Sequence, residues 1–74
     1  MPTKEEVKTQ LEDKFGSLAN KIIECGKESV EKKKSIGEIE EELKECLKEE
    51  LRKGEISEDE IKQAAQLLSF IIAG

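Results

Sequence analysis

The stretch RKGEISEDEIKQ, residues 52–63, decides how this chain is read. Glu55, Glu58, Asp59 and Glu60 crowd around Ser57, as in an acidic metal loop, yet the same residues also suit the junction between two helices. A calcium loop alternates its oxygen ligands through about twelve residues with a glycine near the sixth. Here Glu58, Asp59 and Glu60 are consecutive, and Gly54 precedes all the acids. The helix reading accounts for every position. Arg52 and Lys53 suit the negative end of one helix, and Gly54 suits the left-handed residue just past it. Ser57 with Glu60 then forms a capping box, and Ile56 and Ile61 occupy the two positions of a hydrophobic staple. The acids fall in the first turn, where the helix dipole favours negative charge. The stretch reads as a turn between helices.

Two further capping boxes precede it. Thr3 with Glu6 opens a run in which Val7, Leu11, Phe15, Leu18, Ile22 and Cys25 recur at helical spacing, a stripe roughly 80° wide. Ser35 with Glu38 opens a second run, with Ile36, Ile39, Leu43, Cys46, Leu47 and Leu51 as its stripe. Period-2 alternation and Asn-Gly or Asp-Gly hairpin signals are absent. The expected fold is all-α, either a three-helix bundle or a long helical hairpin with a third helix. A single domain, residues 1–74, would hold helices at about 4–33, 36–53 and 58–73. The first helix could instead stop at Gly26. Continuation is favoured, because residues 27–34 are good helix formers and Gly26 is the sole breaker. Cys25 and Cys46 then come level, and Val7, Leu11 and Phe15 overhang the second helix and call for a second chain.

Residues Leu43 to Leu68 resemble the short C-terminal helical hairpin called SHOCT, in which a leucine-rich helix ends at Lys-Gly and a Ser/Thr-Glu-Glu-Glu stretch starts the next. The residues that carry the likeness are Leu47, Leu51, Lys53, Gly54, Ile56, Ser57, Glu58 and Glu60, and the matched stretch covers about a third of the chain. Ile61 stands where that family usually has an aromatic residue, and its later lysines are reduced to Lys62. The resemblance implies oligomerisation or partner binding, not catalysis.

Composition narrows the function further. Of 74 residues 42 % are charged and 35 % hydrophobic, with two Phe and no Trp or Tyr. That is a bundle or coiled-coil composition, and the regular apolar spacing argues against disorder. The net charge of −5 is concentrated beyond residue 34, which disfavours direct nucleic-acid binding. Lys32, Lys33 and Lys34 are too few to reverse this. There is no His, so imidazole bases, Ser-His or Cys-His nucleophiles and imidazole zinc sites are excluded. The glycines are isolated and form no phosphate loop. No catalytic residue, cofactor or metal is expected, and the chain does not read as an enzyme.

No signal peptide is read at the N-terminus, and the most apolar run, AAQLLSFIIAG, is roughly half a membrane span. A cytoplasmic protein without membrane contact, with Cys25 and Cys46 as reduced, buried thiols, is expected. Glu50 lies within the second apolar stripe and must reach water, find a cation or face a partner. On the third helix Ile61, Ala64, Ala65, Leu67, Leu68, Ile71 and Ile72 span roughly 160°, more than one contact face in a small bundle needs. Either that helix is wedged between the others, or Leu67, Phe70 and Ile71 meet another chain. The expected function is a small acidic protein–protein interaction or regulatory module, a homodimer or a binder of another protein, acting through that face together with Glu50. The alternative is an acidic decoy that occupies a nucleic-acid-binding protein.

Overall fold

Each helical run starts at a capping box. Thr3 Oγ1 accepts from the Glu6 amide at 3.2 Å and the Glu6 carboxylate accepts from the Thr3 amide at 3.3 Å. The same reciprocal pair joins Ser35 to Glu38 and Ser57 to Glu60. Each box satisfies amides that lack an intrahelical acceptor. The computed structural model describes residues 3–73, with side chains as far as Ile71; Pro2 and Gly74, and the Ile72 side chain of the expected third stripe, lie outside the described residues. The chain folds as α1 (Lys4–Phe15), a short 3₁₀ turn (Gly16–Leu18), α2 (Ala19–Glu31), α3 (Ile36–Cys46), α4 (Lys48–Arg52) and α5 (Glu58–Ala73). It is all-α, and no strand occurs among the described residues.

The single helix expected over 4–33 is interrupted. Gly16 adopts φ 57 and ψ −124, a conformation that only glycine reaches without strain, and its N–H closes α1 onto the Glu12 carbonyl. The chain turns there, and α1 packs back against α5 and α2. Val7 and Leu11 are fully buried by this return, and Phe15 is half-buried. The overhang expected to need a second chain therefore does not arise. Beyond the break, α2 continues straight through Gly26 to Glu31.

The turns are closed by local bonds. After α4, Glu55 N–H donates to the Glu50 carbonyl at 2.9 Å and Gly54 N–H to that of Leu51 at 3.1 Å. Gly54 has φ 75. This is a Schellman arrangement, with Gly54 in the left-handed position expected of it. After α2 the same pattern recurs, with Lys34 donating to Ser29 and Lys33 to Val30. Here the left-handed residue is Lys33, with φ 54. The expected helix 36–53 is also divided, because Leu47 leaves helical geometry at φ −102, ψ 23. The hydrogen bonds from Leu47 to Leu43 and from Leu51 to Leu47 persist across this bend. Ile36, placed on the second stripe by its spacing, is 44 % exposed at the first turn of α3.

α5 is the central helix and packs against α1, α2 and α3. Its Ile61, Ala64, Ala65 and Leu68 join Ile22, Ile39, Leu43 and Leu47 in one core. Gly26 lets α2 approach α5 closely: a Cβ there would lie 2.5 Å from Leu68 Cδ1. The width of the α5 face is thus largely explained by its wedged position. Leu67, expected on an exposed patch, is 8 % exposed and belongs to the core.

Cys25 and Cys46 form a disulfide between α2 and α3, with their Cα atoms 5.8 Å apart. This corrects the expectation of reduced thiols. The bond closes a loop across 21 residues of sequence separation, which in the chain-entropy account stabilises the fold by about 3 kcal/mol. For a chain that buries only about 60 % of its unfolded surface, that is a large contribution.

Candidate binding groove

The described surface offers little deep concavity. One concave feature is a groove between α1, α2 and α5, made of two adjoining pockets of about 170 and 210 Å³ that share Lys4, Ile23 and Ile71. The floor comes from Val7 and Leu11 of α1, Ile23 and Val30 of α2, and Leu68 and Ile71 of α5. Ile23, Val30 and Ile71 are half-buried, so they present apolar surface to whatever enters. The rim carries Lys4 and Lys8 from α1 and Lys27 from α2, with Glu5 and Glu31 beside them. Lys4 and Lys8 stand at i,i+4 on α1 and therefore project on one side of it. None of the three lysines is ion-paired within 4.0 Å among the described residues. The floor is apolar, and the rim is more basic than the rest of the acidic molecule.

The structure separates the four residues expected to form the interface. Ile71 lines the groove. Phe70, its neighbour, is 42 % exposed but does not line the groove, and Leu67 faces the core. Glu50 lies on α4, where it accepts a hydrogen bond from Lys21 of α2. Its side chain is 12 % exposed, and the hydrogen bond from the Lys21 ammonium, followed by one from its own backbone, holds its carboxyl below the usual carboxylate range. Its second oxygen, Oε1, is buried with no partner among the described residues. Glu50 has found a cation within the chain, and this pairing accounts for a carboxylate in an apolar seam.

Spacing alone missed Ile23, Val30, Lys4, Lys8 and Lys27. The signal was present as a second apolar direction: Ile23 and Val30 lie seven residues apart on α2, off the main stripe and flanking Lys27.

A second surface feature is an open acidic depression along α3, lined by Glu38, Glu41, Glu42 and Glu45 with Lys34. Glu42 is paired with Lys34 at 3.4 Å. Glu38 is committed to its cap, where the Ser35 backbone N–H and then the Ser35 hydroxyl lower its pKa. Among the described residues no group of three His, Cys, Asp or Glu side chains is placed to hold a metal ion. No described helix is long and apolar enough to cross a membrane. Comparison with known proteins adds no relative, since no protein-family model, curated protein or solved structure matches this chain.

Proposed function

We propose that the chain is a small protein-interaction module that receives an acidic, amphipathic helical segment of another protein in the α1–α2–α5 groove. One observation carries the reading: apolar surface from Ile23, Val30 and Ile71 lies beneath lysines that have no ion-pair partner among the described residues. Apolar anchors at i, i+3/i+4 and i+7 would occupy the floor, and carboxylates flanking them would meet Lys4, Lys8 and Lys27. Phe70, 42 % exposed and next to Ile71 in sequence, lies outside the groove lining and offers a separate apolar contact.

A synthetic helical peptide with a leucine stripe flanked by glutamates tests this by fluorescence anisotropy. Binding that weakens at least tenfold in a Lys4/Lys8/Lys27→Glu variant supports the groove. Equal binding of a lysine-flanked peptide, or no binding of either, removes it. A homodimer uses the same kind of surface, and sedimentation equilibrium would report it as a species near twice 8.3 kDa. A dimer that persists in Phe70→Glu and in the lysine variant would lie elsewhere.

The acidic depression on α3 favours a second reading, the decoy, in which Glu38, Glu41 and Glu45 occupy a basic nucleic-acid-binding surface. Salt separates the two. Decoy binding should fall steeply between 50 and 500 mM salt, whereas a contact dominated by the apolar floor should persist.

A further inference from the structure

The two ends of the disulfide differ. Cys25 is 8 % exposed on the core side of α2, whereas Cys46 is exposed at the last residue of α3. Immediately beyond Cys46 the helix bends at Leu47, and the five-residue α4 that follows has no buried residue of its own. α4 continues from α3 and packs only lightly on the rest of the bundle. It is tied to α2 by the Lys21–Glu50 pair, and indirectly by the disulfide at its root. At its far end it leads through the left-handed Gly54 to Ile56, which is anchored in the core. A short, lightly packed helix therefore lies between two bends, with a covalent bond at the first.

We propose that Cys46 is a site of thiol–disulfide exchange with small thiols, and that the Cys25–Cys46 bond is a latch holding α4 against the bundle. A thiolate attacks the accessible Cys46 sulfur, forming a mixed disulfide there and expelling Cys25 as a thiolate, which takes a proton from water. A second thiolate attacks the small-thiol sulfur of that mixed disulfide. The Cys46 thiolate leaves and is protonated, and the two reductant molecules depart as their own disulfide. Two thiols are oxidised and one protein disulfide is reduced. With the bond open, α4 is restrained by the Lys21–Glu50 pair, half-buried Leu51 and the backbone bonds that cross Leu47, so it loosens about Leu47 and Gly54 and uncovers the apolar surface around Leu51. The rest of the bundle keeps its own core and stays folded.

Amide hydrogen exchange on the oxidised and the phosphine-reduced full chain tests the latch. On reduction, amides of residues 48–53 should exchange at least tenfold faster, while those of α2 and α5 keep their protection. Unchanged exchange in α4, or protection lost throughout the chain at once, overturns the proposal. A Cys25→Ser/Cys46→Ser variant, oxidised or not, should match the reduced protein; if it keeps the slow exchange of the oxidised protein, the bond is not the latch. The point of attack is read separately, by brief treatment with 2-mercaptoethanol, acid quenching and peptide mass spectrometry. The mixed disulfide should map to Cys46; mapping to Cys25, or no reaction at millimolar thiol, overturns the assignment.

Discussion

Lys21 donates a hydrogen bond to Glu50 from across the same seam that carries the Cys25–Cys46 disulfide one helical turn away. The antiparallel register that sets residue 25 opposite 46 also sets residue 21 opposite 50, because four residues on each helix bring the next side chain to the same face. The ion pair and the covalent bond therefore fix one and the same alignment of α2 with α3 and α4. Local charge patterning continues along it, with Lys32 bonded to Glu28 at 2.7 Å within α2 and Lys34 reaching Glu42 of α3 at 3.4 Å.

The carboxylates of this seam make stability depend on pH in a definite direction. Glu50 is depressed by the hydrogen bond from Lys21, and Glu28 by the hydrogen bond from Lys32 and then its charge. A carboxylate with a lowered folded-state pKa binds fewer protons when folded. Its contribution is complete above the unfolded value and is lost as pH falls through the folded one. Thermal melting should show the chain less stable below about pH 4 than at pH 7. Glu50→Gln should reduce stability at pH 7 and converge with the parent in acid. Parallel melting curves for the two proteins across that range would show that the Lys21 contact contributes nothing.

Two positions with positive φ should respond to substitution with opposite signs. Lys33 pays steric strain at φ 54 in the turn after α2, where its amide bonds to Val30. Lys33→Gly should stabilise the protein by about 0.5–1 kcal/mol, since the relief of left-handed strain exceeds the entropy glycine adds to the unfolded chain. Gly16 has open space around a Cβ but stands at φ 57, ψ −124. Gly16→Ala should therefore destabilise by at least about 1 kcal/mol through the backbone alone. Urea unfolding of both variants gives the comparison; a stabilised Gly16→Ala would mean that α1 runs on into α2 as one helix.

The residues that were legible in the sequence act over three or four positions. Thr3, Ser35 and Ser57 with their glutamates, and Gly54 after Lys53, are local signals whose geometry does not depend on the rest of the fold. The Gly16 break was not legible, because Leu11, Phe15, Leu18 and Ile22 keep helical step across it. What selects the bend is the burial of Val7 and Leu11 against α5, a tertiary gain. The partner of Glu50 lies 29 positions away and becomes visible only with the α2–α3 register. The groove is not legible from the stripe through Ile22 and Cys25, because Ile23 and Val30 lie off it in a second apolar direction on α2. The wide face of α5 admitted two explanations, and the buried Leu67 decides for the wedge at that position.

Gly26 offers the sharpest test of that wedge. In an exposed helix, replacing glycine by alanine stabilises by about 1 kcal/mol. Here the new methyl carbon would lie 2.5 Å from Leu68 Cδ1 and 3.8 Å from Leu43 Cδ2. Leu68 is itself 1 % exposed and packed in the core, so its Cδ1 must be displaced or α2 must move away from α5. Overpacking of this kind costs about 1–3 kcal/mol, which exceeds the gain in helix propensity. Gly26→Ala should therefore destabilise the protein. Leu68→Ala alone should also destabilise it, by opening a cavity. The two together should cost less than their sum, because the alanine methyl enters space that the leucine has vacated. A double-mutant cycle by chemical denaturation measures this coupling. Strictly additive effects would mean that α2 and α5 do not meet at these two residues.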